Sequence, residues 1–115
     1  MILEEISAKL ETLGLPVYYG HQHLGDGEPW NYIVFSRTTT SRSDSKHGKT
    51  KGFTVAVVHE DYVDDDLDDQ IVELLSDIPS IRLGPGDVTY DYTSKPGTGV
   101  TVEVMVVPFV KAEKR

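Results

Sequence analysis

Two groups of side chains in this sequence have the types and spacing to do chemistry. His21 and His23 alternate in the segment HQH, so an extended backbone would project both imidazoles to one side, as a metal site requires. Two ligands fall short of the three of a catalytic zinc site or the four of a structural one, and the chain has no cysteine to supply the rest. An ordinary polar loop is the better account of them. The second group is His59, Glu60 and Asp61 with Asp64, Asp65 and Asp66, which could be arranged around Mg²⁺ as in a nuclease. These acids also sit where a helix begins, and there the capping of free N–H groups and the helix dipole explain them without a metal. No G-x-S-x-G elbow, phosphate-binding loop or nucleophilic cysteine is present. The residues therefore call for no cofactor and no metal, and the expectation is a protein that is not an enzyme.

Those acids lie inside the unit that organises the chain: a strand, KGFTVAVVHEDY (51–62), running straight into an amphipathic helix, DDDLDDQIVELLSDI (64–78). Along the strand Phe53, Val55, Val57 and His59 point one way and Thr54, Ala56, Val58 and Glu60 the other. Both faces are largely apolar. Such a strand belongs inside a sheet that is covered on both sides, or covered on one side and used as an interface on the other. In the helix Val63, Leu67, Ile71, Leu74, Leu75 and Ile78 repeat at spacings of three and four, giving one stripe to lay on the sheet. Asp64, Asp65 and Asp66 are expected in its first turn, and Pro79 ends it.

The remaining elements are partners for this unit. Leu3, Ile6, Leu10 and Leu13 form a helical stripe over residues 2–13, closed by Gly14 and Pro16. LPVYYG reads as a brief strand, HQHLGDGEP as a polar loop, and WNYIVFSR (30–37) as a second strand. A hairpin returns from there to the Lys51 strand through TTTSRSDSKHGKTK, a basic and flexible loop over residues 38–51 that is longer than a turn needs. Residues 88–93 and 100–110 form a closing hairpin around SKPGTG, and Pro108 marks an edge or a bulge. KAEKR (111–115) is expected to be a frayed tail. The order α-β-β-β-α-β-β predicts a single α+β domain over residues 1–115, with a four- to five-stranded, mainly antiparallel sheet and two helices packed on one face. On that arrangement residues such as Val58, Val107 and Phe109, or the opposite set, are left for another protein surface to bury.

At 115 residues the chain can support one modest core, and its formal charge is −8. That balance opposes general binding to nucleic acid or to anionic membranes. Glu4 and Glu5 stand where a secretion signal carries positive charge, no apolar run reaches the about 20 residues of a membrane span, and cysteine is absent. A soluble, untargeted protein is expected. The charge is unevenly placed. Arg37, Arg42, Lys46, Lys49 and Lys51 face only Asp44 between positions 37 and 51, a local +4 that leaves −12 on the rest of the chain. The basic segment is a solvated loop or a docking element for an acidic protein surface, and contact with DNA phosphate through Arg42, Lys46 and Lys49 is opposed by the charge of the body.

The chain's size, its α-β-β-β-α-β-β order, the strand leading into an acidic second helix (FTVAVVHEDYVDDDLDDQIVELL) and the closing YDYTSKPGTGVTVEVMVVPF hairpin resemble the tail-terminator, or tail-completion, proteins of long-tailed bacteriophages. The resemblance implies a homo-oligomer, a hexameric ring that sits on the head-proximal end of the finished tail tube in the virion after assembly in the host cytoplasm. It implies two further partners, the tail-tube protein and a head-completion or neck protein, and DNA only as a genome passing through. No chemistry and no membrane are involved. On this reading Arg37, Arg42, Lys46, Lys49 and Lys51 reach a neighbouring ring or tube subunit and order on contact. Asp64, Asp65, Asp66, Asp68 and Asp69 form an acidic wall that repels passing DNA, or belong to a neighbouring interface. Another head–tail connector component would share these features, and a small divalent-metal-dependent enzyme such as a nuclease is the reading from a different class.

Overall fold

The computed structural model describes residues 2–20, 30–42, 48–84, 86–95 and 97–114. In chain order the elements are α1 (Ile2–Glu11), β1 (Val17–Tyr19), β2 (Tyr32–Arg42), β3 (Gly48–Glu60), α2 (Leu67–Ser76), β4 (Ile81–Leu83), β5 (Thr89–Ser94) and β6 (Thr101–Lys114). The class is α+β, as expected, but the sheet has six strands in the order β1-β2-β3-β6-β4, with β5 also paired to β6. Among the described residues β1 and β2 pair in parallel and the other pairs are antiparallel. The additional strand, β4, is three residues long, too short to leave a period in the sequence. No helix among the described residues is long and apolar enough to cross a membrane.

The spine of the molecule is the β3–β6 ladder, in register from Gly48↔Lys114 to Glu60↔Val102. Its length corrects two expectations. Residues 38–42 and 48–51 are not loop: β2 and β3 continue through them, pairing as far as Arg42↔Lys49. Nor do residues 111–114 fray, because Lys111 to Lys114 pair with Lys51 to Gly48. Backbone hydrogen bonds to a central strand order these polar segments, which have no apolar alternation of their own. The outer edge of β6 is covered in two pieces, β5 against Thr101 to Val106 and β4 against Phe109 to Lys111. Pro108, which has no N–H to donate, falls in the gap between them, and its carbonyl accepts from the Gly84 N–H at 2.9 Å.

One face of the sheet carries the core. Phe53, Val55 and Val57 of β3 lie in register with Phe109, Val107 and Met105 of β6, and Ile33 and Phe35 of β2 flank them. The Phe53 and Phe109 rings stack at 5.3 Å. Ile6 and Leu10 of α1 and Ile71 and Leu75 of α2 close over this layer, so both helices pack on the same face. The grouping of Val58 with Val107 and Phe109 does not survive this register: Val107 and Phe109 are buried under the helices, while Val58 is on the other side. α1 stops where Gly14 takes a φ of 86°. α2 begins later than the acids suggested. Asp66 is its N-cap residue without a side-chain cap bond, and Asp68 and Asp69 occupy the first turn.

The register slips once, between Arg37 and Thr39, so that Thr38 and Thr39 together oppose Gly52. A Cβ on Gly52 would sit 2.6 Å from the Thr39 hydroxyl oxygen and 2.9 Å from that of Thr38. Gly52→Val should therefore cost about 1–3 kcal/mol through overpacking. Amide exchange should show the loosening in Thr39 to Arg42 and in Lys49 to Lys51, with the protein's centre still protected.

Candidate functional site

The end of β3 holds most of the residues with metal-binding potential, and the fold disperses them. Glu60 is used structurally: its carboxylate accepts from the Trp30 N–H at 3.0 Å and pairs with the Lys95 ammonium at 3.3 Å. Its own N–H donates to the Asn31 side-chain oxygen at 3.0 Å. One carboxylate thus ties the start of β2 and the end of β5 to the end of β3. The His59 Nδ1 lies 2.8 Å from the Glu60 carbonyl oxygen. Asp61 takes a left-handed φ of 71° and turns the chain out of the sheet. Among the described residues no group of three or more His, Cys, Asp or Glu could hold a metal ion. His21 and His23 lie outside the described residues.

Glu60→Ala would strip two partly buried donors of their acceptor. The expected cost is about 2–3 kcal/mol, the range for bonds to a charged group. A melt followed by circular dichroism should shift down by roughly 10 °C.

The basic positions gather at the far end of the same ladder. The β-bulge at Thr38 brings Arg37 into register with Phe53 and Arg42 with Lys49, positions of one face of β3. Lys51 stands opposite Lys111, and Gly48 opposite Lys114. Lys49, Lys51 and Lys111 thus fall at positions of one face of the ladder, and Lys49 stands opposite Glu113. Lys46 lies outside the described residues. Arg37 is engaged elsewhere: its Nε donates to the Tyr19 hydroxyl at 2.8 Å, and its guanidinium lies 6.0 Å from that ring's centroid.

Asp64, Asp65, Asp66 and Asp69 are exposed and Asp68 is half-buried, at the opposite end of the molecule from the lysines. Beside them lies a feature the sequence reading passed over, a set of exposed tyrosines. Tyr90 and Tyr92 alternate along β5 opposite Met105 and Glu103, and the turn after β3 exposes Tyr62. Glu103 organises this corner. Its carboxylate accepts from the Val63 N–H at 2.9 Å, and it is hydrogen-bonded to the Tyr92 side chain, which raises the Tyr92 pKa above the ordinary tyrosine value. The Tyr90 pKa is raised as well, first by desolvation and then by the negative charges of Asp68, Glu103, Asp65 and Asp69. The YDY alternation was the available signal, since it puts two aromatics on one face of a strand.

The third surface is the sheet face away from the helices. Tyr18, Tyr32, Val34, Ala56, Val58, Val104 and Val106 lie there half-buried, and among the described apolar residues of that side only Val102 is fully buried. Tyr18 and Tyr32 meet edge to face at 6.0 Å. Among the described residues no helix covers these positions, which form a contiguous apolar patch in the middle of the sheet. In comparisons with known proteins, no family model matches this chain and no curated protein matches it.

Proposed function

We propose that this chain is a structural protein of a long-tailed phage virion, a tail terminator that closes as a hexameric ring on the finished tail tube. In that role it stops polymerisation of the tube and offers a joining surface to the neck of the filled head. The observation that carries the reading is the open apolar sheet face around Val34, Ala56, Val58, Val104 and Val106, which a stable assembly would bury. Among the described residues the helices cover one side of the sheet, and a second protein surface can bury the apolar residues of the other.

Two features support the same role. A closed ring repeats one head-to-tail contact, which needs different patches at opposite ends of the subunit, and here lysines and carboxylates occupy the two ends of one ladder. DNA must also slide through the ring without adhering. A body carrying −12 outside its basic segment, with Asp64, Asp65, Asp66, Asp68 and Asp69 near the surface, repels phosphate from such a lumen. The chain's place is then the head-proximal end of the tail, with the tail-tube protein below it and a neck protein above.

The test is a tube-length assay. Tail-tube subunits polymerised with and without the chain are imaged in negative stain. Shortened tubes bearing a cap at one end are expected. Tubes of unchanged length without caps would overturn the proposal.

A further inference from the structure

We infer that β5 is a receiving edge: an extended segment of a partner protein, with lysine or arginine at alternate positions, adds to it as a further strand of the sheet. The inference goes beyond the ring and does not depend on it.

The ladder shows that β5 has one edge in use. The Lys95 N–H donates to the Val100 carbonyl oxygen at 3.0 Å, which makes that pair a hydrogen-bonded one. Pairing alternates along an antiparallel ladder, so Thr93, Asp91 and Thr89 turn their N–H and C=O groups to Val102, Val104 and Val106 of β6. Tyr90, Tyr92 and Ser94 turn theirs outward. Two other bonds of β6 have the same phase. The Pro108 carbonyl accepts from Gly84, on the side of β4 and β5, whereas the Thr101 carbonyl accepts from the Asp61 N–H at 2.7 Å, on the side of β3.

Among the described residues no strand pairs with the outer edge of β5, and all six of its residues are exposed. Open main-chain groups on an edge strand are a template for strand addition, which natural edges ordinarily avoid with lysines, prolines or bulges. β5 has no lysine or proline, and its register with β6 runs without a slip. Its one charged residue is Asp91. That carboxylate accepts from the Tyr92 N–H at 2.9 Å, a bond between neighbours that the carbonyl of an incoming strand replaces.

The side chains specify what the partner carries. Residues of an added strand that stand beside Tyr90 and Tyr92 are two apart and lie on the tyrosines' face. On that face Tyr92 is 61% exposed and Tyr90 48%. The Tyr92 side chain is hydrogen-bonded to Glu103, so its ring is held before a partner arrives. The Tyr90 pKa is raised by desolvation and then by Asp68, Glu103, Asp65 and Asp69, which puts four carboxylates within electrostatic reach of its hydroxyl. Among the described residues Asp65, Asp68 and Asp69 make no ion pair. Lysine or arginine laid across these rings gains from the rings' negative faces and from the carboxylates beyond them. An acidic residue at the same place is repelled. The chain as a whole carries −8, which favours a different, basic protein over a second copy as the source of the segment.

The probe is a short, end-capped peptide alternating lysine with threonine, labelled with a fluorophore and titrated with the full-length chain at about 0.05 M salt, where exposed charges are weakly screened. A rise in anisotropy is expected, with slowed amide exchange at Tyr90, Tyr92 and Ser94 in the bound chain. A peptide of the same length alternating glutamate with threonine should bind about tenfold more weakly or worse, and so should the lysine peptide to a Tyr92→Ala chain of native circular dichroism. The lysine peptide with its backbone nitrogens methylated keeps its charge but cannot donate, and it should lose a similar factor. Equal binding of the methylated peptide, or no added protection at the three amides, would reduce the contact to charge attraction and overturn the strand addition. Absence of binding would overturn the inference outright. Protection of the three amides that grows with the concentration of the chain alone would assign the edge to a second copy and overturn it as well. Tube capping is read by none of these measurements, so the ring reading stands or falls separately in the tube-length assay.

Discussion

An Ala56→Arg chain is expected to stay folded and to lose its assembly. Ala56 stands in the middle of the open sheet face, in register with Val34 on one side and Val106 on the other, and all three are half-buried. In the isolated chain an arginine there can lay its aliphatic stem over the neighbouring valines and keep its charge in water, so the cost to folding is about 1 kcal/mol or less. In an assembly that covers the face, the same guanidinium is buried without a partner. Leaving a charge unpaired in an interface costs about 2–5 kcal/mol, which corresponds to a fall in association of about 30-fold to several thousandfold. Native circular dichroism combined with loss of ring and of tube capping is the expected pair of results. Normal assembly by the variant would remove the open face from the account.

Val55→Asp, one position earlier, should have the reverse character and leave no folded protein. Val55 is fully buried between Phe35 and Val107 on the helix-covered face. Nothing near it donates a hydrogen bond, since its register partners and the helix residues above them are apolar. Burying an unpaired carboxylate at such a site costs several kcal/mol even after its pKa rises to neutralise it, comparable with the about 5–15 kcal/mol that holds a domain together. The expected readouts are an unfolded far-ultraviolet spectrum and no cooperative melt. The gentler Phe109→Ala, which deletes one ring of the stacked Phe53–Phe109 pair, should cost about 3–5 kcal/mol and keep a measurable transition. The contrast between positions 55 and 56 is the pleat of one strand expressed as two phenotypes.

The parts of this fold that were legible in the sequence are those carried by period. The stripes in α1 and α2 and the alternation in β3 and β6 each recur over ten residues or more, and the class and the one-sided helix packing follow from them. What pairs with what was not legible. Val58, Val107 and Phe109 looked equivalent until the register Val55↔Val107 put two of them under the helices and left Val58 outside. The outer halves of β2 and β3, and the Lys111 to Lys114 end of β6, are polar runs held by backbone bonds to a neighbour far away in sequence, so composition alone marks them as loop and tail.

The site shows the same division. Charge asymmetry was visible as the +4 segment against the −12 remainder, but its arrangement at two ends of a single ladder needed the strand pairing. The work of individual carboxylates was hidden for a related reason. Glu60 reaches Trp30 and Lys95, and Glu103 reaches Val63, across separations of 30 to 40 residues. A carboxylate with a partner at that remove is indistinguishable in sequence from one that awaits a metal. Asp64, Asp65 and Asp66 were expected to cap α2 from its first turn, yet the helix starts after them, with Asp66 at the N-cap position making no side-chain cap bond, and all three remain exposed.

The measurement that bears most directly on the central claim is the mass of the full chain in solution, by light scattering over a concentration series, repeated after adding preformed tail tubes and pelleting them. The account predicts a closed species near six times the 12.8 kDa of the chain, either free or bound to tube ends, weakened by salt and absent for the Ala56→Arg chain. A monomer at every concentration, left in the supernatant when tubes are pelleted, would contradict it.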